Sequence, residues 1–210
     1  MSNDINSAFG GAVESSYYSV DDKNKDRPTF IPAVPGEYLG HIVELKSKVY
    51  DIKGGIKKAR IYNYYVELAE QNAGTKYEVP NHGTVDGSEF TGRKIRSDGV
   101  FRYLEPQEGD TFQSNPSGNT GYLKFCEAIG VELKPIEKII DGKKVKLLQL
   151  PSISEEDVLG KAVKINVQHG KSYKNAKGYD TLPLIIRYVN PWADGKDIKV
   201  EKESTDDIPF

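Results

Sequence analysis

From Lys161 to His169 apolar and polar side chains strictly alternate: Val163, Ile165 and Val167 against Lys164, Asn166 and Gln168. A strand turns every second side chain to the same side, so this segment predicts a β-strand with one face in a core and one in water. Other segments fit beside it. Gly36–Leu45 predicts a first strand with Leu39, Val43 and Leu45 facing the core. Asp51-Ile52-Lys53-Gly54-Gly55 predicts a turn, and Ala59–Ala69 a second strand that makes a hairpin with the first. Arg93–Leu104 predicts a third extended segment, after a Gly- and Asn-containing stretch from Glu70 to Gly92. Leu182, Leu184, Ile186 and Tyr188 share the inward parity of a last strand, where Pro183 predicts an edge position.

Helical signals are short. Leu123, Cys126 and Ile129 recur at a spacing of three ahead of Gly130, which predicts a helix over Asn119–Ile129. Ser154-Glu155-Glu156-Asp157 has the form of a capping box opening a second short helix that ends at Gly160. The chain's 20 Gly, 11 Pro and 13 Tyr suit short strands and turns better than a helical bundle. The expected fold class is therefore mainly β: an OB-fold-like barrel of about five or six strands with one or two short helices. A β-sandwich would use a similar inventory.

At 210 residues the chain is long enough for one core with loose ends. Residues 1–28 are polar and predict a disordered segment, 29–198 the folded domain and 199–210 an acidic tail. The net charge of −2 conceals a division. Residues 1–29 hold three basic and five acidic residues and 200–210 hold one and four, which leaves +3 on residues 30–199. With one cysteine no internal disulfide forms, and neither a signal peptide nor a membrane-spanning run is legible, so a reducing cytoplasm is expected, that of a bacterial host if the chain is phage-encoded.

The chain ends Asp206-Asp207-Ile208-Pro209-Phe210. Acidic side chains keep such an end solvated, Pro209 lowers the cost of ordering it, and Phe210 offers an apolar group beside its own carboxylate. It fits a partner pocket with an apolar floor and a basic rim. This tip resembles that of the bacterial single-stranded DNA-binding proteins, and the acidic tail behind a larger body resembles the phage-type members of that family. The resemblance implies an OB-fold that holds the strand. It also implies a tip that recruits replication, recombination or repair enzymes such as a polymerase, primase, helicase or recombinase. The acidic end is expected to compete with phosphate for the basic cleft when no DNA is bound.

Binding of single-stranded DNA without sequence preference needs cations for phosphates and flat rings for bases. Three segments interleave them, and the candidate DNA-binding residues are Lys57, Lys58, Arg60, Tyr62 and Tyr64; Lys94, Arg96, Arg102 and Tyr103; and Lys171, Tyr173, Lys174 and Lys177. Arg60, Tyr62, Tyr64 and Val66 share one face of their strand with Tyr65 on the other, so some of these rings belong to the core. No catalytic residue, metal site or cofactor is expected. His41, His82 and His169 lack metal-ligand spacing, Cys126 fits a helix's apolar face, and no phosphate-binding glycine loop is present. A metal-dependent nuclease or recombination enzyme, and a replication adaptor that barely touches DNA, are the competing readings. Oligomeric state is not legible in the sequence.

Overall fold

The computed structural model describes residues 30–140 and 142–200. The sequence readings for residues 1–28 and for the tip Asp206–Phe210 lie outside the described residues. From Pro32 onward the described residues belong to one compact unit.

Strands β1 (Gly36–Ile52) and β2 (Lys57–Leu68) form the expected hairpin. Lys53, Gly54 and Gly55 turn the chain with φ of 52°, 67° and 90°, in the left-handed region that glycine enters without steric cost. The β1–β2 ladder slips at Val43, since Ile42 pairs with Val66 but Glu44 pairs with Tyr65. This bulge inverts the alternation. Ahead of it Tyr38, Gly40 and Ile42 face the core, and beyond it Leu45 does. The expectation for Leu39 and Val43 is corrected: both are half-buried on the other face.

Within the Glu70–Gly92 stretch lies a hairpin that the sequence reading left out, β3 (Lys76–Val79) with β4 (Gly83–Asp86). It anchors on β1 through rings: Tyr77 stacks on Tyr38 at 4.6 Å, and Phe90 meets both edge-on. The third extended segment is β5 (Lys94–Ser97) and β6 (Val100–Tyr103), interrupted at Asp98-Gly99. Helix α1 spans Thr120–Ala128, and its buried Tyr122, Phe125 and Cys126 cover one end of the barrel. Strands β7 (Pro135–Ile140) and β8 (Lys143–Leu148) form a further hairpin absent from the sequence reading. Helix α2 (Glu155–Val158) opens with the predicted capping box, in which Ser154 N–H donates to Asp157 Oδ2 at 2.7 Å.

Strand β9 (Ala162–His169) buries Val163, Ile165 and Val167 as its alternation requires. A small hairpin, β10 (Tyr173–Lys174) with β11 (Asp180–Thr181), leads to β12 (Leu184–Pro191). The ring runs β1-β9-β12-β5-β2 and closes on β1, and β6 extends it along the first half of β2. Every pairing is antiparallel except β12 with β5. The fold is mainly β, an OB-fold-like closed barrel of five strands plus one, with one helix of more than four residues among the described residues.

Two features of β12 depart from expectation. It pairs on both sides, and Pro183 lies just outside it with its carbonyl accepting Gly170 N–H at 2.8 Å, so the proline marks an entry and not an edge. A second slip at Arg187 shifts the parity, so Tyr188 is exposed, and Leu182 stands exposed ahead of the strand.

Beyond β12 the chain doubles back as a strap. Trp192 packs against His41 at 5.6 Å between ring centroids, and His41 Nε2 lies 3.0 Å from the Lys196 carbonyl oxygen. Asp197 pairs with Lys161 at 2.7 Å and accepts Ala162 N–H, and Ile198 N–H donates to the Gly160 carbonyl at 2.9 Å.

Candidate nucleic-acid interface

Residues directly opposite each other in a ladder project from the same face of the sheet. Buried Tyr62, Tyr64, Val66, Ile95 and Ser97 define the inward face of β2 and β5. Their alternates face outward in rows that the register fixes. Tyr50, Ala59 and Tyr103 form one row, with Ala59 fully buried between the two rings' positions, and Lys48, Ile61 and Phe101 the next. Lys46 and Asn63 follow, then Glu44, Tyr65, Arg96 and Ile185, and finally His41, Glu67 and Lys94. Rows stand two residues apart, about 7 Å along a strand. One continuous face thus carries Tyr50, Tyr65, Phe101 and Tyr103 among Lys46, Lys48, Lys94 and Arg96.

Local contacts set how these groups present themselves. The Phe101 and Tyr103 rings lie 6.4 Å apart and nearly parallel, with 25° between their planes. Lys48 Nζ sits 5.5 Å from the Tyr50 ring centroid. Lys46 bonds Glu44 at 2.5 Å, and that carboxylate raises the lysine's pKa. Lys94 stands opposite Glu67. Lys48 and Arg96 form no ion pair among the described residues.

The predicted residues divide accordingly. Lys94, Arg96 and Tyr103 lie on the outward face. Tyr62 and Tyr64 are core, stacked on Tyr122 at 5.5 Å and on Phe125 at 5.0 Å, so neither ring can receive a base. Burial pushes the Tyr64 hydroxyl's pKa up, which keeps it neutral. Arg60 and Arg102 pair across the ladder on the inward parity. Arg60 lies toward Ser47, and the Arg102 guanidinium sits 5.5 Å over the Tyr122 ring. Lys57 starts β2 beside the β1–β2 turn, and Lys58 Nζ lies 5.3 Å from the Phe112 ring. Lys171, Tyr173, Lys174 and Lys177 are all exposed on or beside the β10–β11 hairpin, with Tyr179 69% exposed there. That hairpin springs from His169 and Leu184, and Leu184 adjoins the row of Ile185, Arg96 and Tyr65. The β1–β2 turn stands at the opposite end of β2.

Sequence reasoning missed Lys46, Lys48 and Tyr50. The signal was present as a period of two in Lys46-Ser47-Lys48-Val49-Tyr50. Tyr65 and Phe101 also stand on this face, outside the candidate set.

Beside β6 a groove of about 870 Å³ runs between α1 and β12. Phe101, Tyr103 and Tyr188 line it together with Lys124 and Arg187, and the otherwise buried Tyr64 and Phe125 also contribute to its lining. Phe101 and Tyr103 therefore belong to both the outward face and the groove.

Among the described residues no three His, Cys, Asp or Glu side chains gather as a metal site. Cys126 is fully buried, and burial pushes its thiol to a pKa of about 11, away from the reactive thiolate. No described helix is long and apolar enough to cross a membrane. No protein family's sequence model matches the chain, no curated protein matches it in sequence, and no solved structure matches it.

Proposed function

We propose that the chain binds single-stranded DNA without strong sequence preference during replication, recombination and repair, and that its tip, Asp206–Phe210, recruits partner enzymes. One observation carries the first half: rings and cations interleave on a single outward face of β1, β2, β5 and β6. In OB barrels the corresponding face and its flanking loops bind oligonucleotides. Rings supply stacking for any base and cations supply phosphate contacts, so the arrangement needs no base-specific hydrogen bond. The second half rests on the chemistry of the terminal residues.

The direct test is a fluorescence titration with oligo-dT at low and moderate salt. The expected result is tight binding that weakens steeply as salt rises. No interaction at low ionic strength overturns the DNA-binding reading and favours an adaptor. Cleavage of the strand on addition of Mg²⁺ favours a nuclease. Deleting residues 201–210 is expected to abolish capture of replication proteins and to raise oligo-dT affinity, and unchanged or lower affinity would remove the competition of the acidic end with phosphate.

A further inference from the structure

The β7–β8 hairpin stands apart from the barrel: its strands pair only with each other. An isolated two-stranded ribbon is marginal in water, and this one leaves Ile139 73% and Leu148 50% exposed. Its charge is one-sided. Lys134, Lys138, Lys143, Lys144 and Lys146 are all exposed, against two acidic residues in 134–148, Glu137 and Asp141. Register places Lys138 opposite Val145 and Lys143 opposite Ile140 on one side, with Lys144 opposite Ile139 and Lys146 opposite Glu137 on the other. Cations therefore stand on both sides of the ribbon toward its tip. None of the five lysines forms an ion pair among the described residues.

The root of the hairpin is fixed beside the groove. Helix α1 supplies Lys124, Phe125, Glu127 and Ala128 to the groove lining, and directly after it Val131 N–H donates to the Cys126 carbonyl at 2.9 Å. The ribbon begins four residues further on, at Pro135. The groove in turn shares Phe101 and Tyr103 with the outward face. A strand that leaves that face across β6 enters the groove, and the ribbon follows in sequence the helix that forms one of the groove's walls.

We propose that the β7–β8 hairpin is a second nucleic-acid-binding element, a lysine arm that grips the phosphate backbone beyond the barrel face and lengthens the binding site. The proposal rests on the single-stranded DNA reading of the barrel. Lysines at several positions on both sides give sequence-independent phosphate contacts whichever side of the ribbon the strand approaches. Lysines that merely guard the ribbon's free edges against pairing would leave the salt dependence of DNA binding untouched.

The experiment uses the full chain and a quadruple variant, K138A/K143A/K144A/K146A, titrated with a short and a long oligo-dT over a range of salt. Each lost phosphate contact lowers the slope of log K against log salt by roughly 0.7 for a single strand, so a total drop of about 2–3 is expected. Affinity for the long strand should fall by about tenfold or more at moderate salt, while affinity for the short one stays unchanged. A second variant replacing 135–148 by a Gly-Ser segment, with its melting temperature measured, guards against an effect of misfolding. Equal slopes and equal long-strand affinities in wild type and both variants overturn the proposal. So does a change in sedimentation mass without a change in slope, which would make the ribbon a self-association surface. Absence of oligo-dT binding by the wild type defeats the reading beneath it, and is seen without any variant.

Discussion

Tyr65 on β2 and Arg96 on β5 stand directly opposite each other, and Ile185 on β12 continues their row. Their sequence neighbours Tyr64, Val66, Ile95 and Ser97 are all buried, so the ring and the guanidinium both leave the sheet on its solvent side. A flat ring beside a cation is the minimal unit for holding one nucleotide, base on the ring and phosphate on the charge.

Removing either half of that unit has a distinct signature. Tyr65→Ala is expected to weaken oligo-dT binding by about 1–3 kcal/mol with little change in salt dependence. Arg96→Ala is expected to lower the salt slope by roughly 0.7. Fluorescence titration at several salt concentrations measures both. Unchanged binding in both variants would move the site off this face.

Core tyrosines behave differently. Tyr62→Ala or Tyr64→Ala removes a ring packed on α1 and is expected to cost about 3–5 kcal/mol of stability, by analogy with large aromatic truncations. Thermal or urea unfolding reads this directly. The folded fraction should retain its oligo-dT affinity, since neither ring reaches the outward face.

At Gly160 the strap and the barrel meet closely. Its φ is +79°, and a Cβ there would overlap the Ile198 carbonyl oxygen. Gly160→Ala is expected to destabilise the protein by about 1–3 kcal/mol and to loosen the segment after Pro191. Limited proteolysis should then cut beyond Pro191 sooner than in the wild type, and equal cleavage rates would refute this.

Asp86 is one of the carboxylates, with Asp157 and Asp197, whose pKa the fold depresses. The Ser88 backbone N–H, then Lys76 and the Ser88 hydroxyl, and then the Gly74 N–H stabilise its carboxylate, so its pKa is depressed below the ordinary 3.8. A group depressed in the folded state contributes stability above its unfolded pKa and loses it as pH falls toward the folded value. Melting temperature should therefore drop below about pH 4 more steeply in the wild type than in Asp86→Asn. Parallel curves would remove Asp86 from the acid response.

Much of the architecture was written in local patterns. The Val163-Ile165-Val167 alternation, the Lys53-Gly54-Gly55 turn and the capping box at Ser154 each need only nearby residues to be read. What escaped depends on partners distant in sequence. Nothing beside Val43 or Arg187 announces an extra residue in a ladder, and a single parity cannot fit both sides of such a slip, so a reading that suits Leu45 misplaces Leu39 and one that suits Ile186 misplaces Tyr188. The division of the tyrosines on β2 was equally hidden, because it follows from where α1 packs. The β7–β8 hairpin is missing from the sequence reading although its signal is local: Asp141-Gly142 is a dipeptide that favours a tight hairpin turn.

The slip at Val43 also decides how this gene can vary. Ahead of the slip strand β1 turns its even-numbered residues inward and beyond it its odd-numbered ones, and a single inserted residue sets the hand-over between them. Deleting Val43 would restore strict two-residue phasing and rotate Lys46, Lys48 and Tyr50 toward the hydrophobic centre. Length changes are therefore forbidden in mid-strand yet harmless in the loop between β10 and β11, and natural variants should concentrate their insertions in that loop.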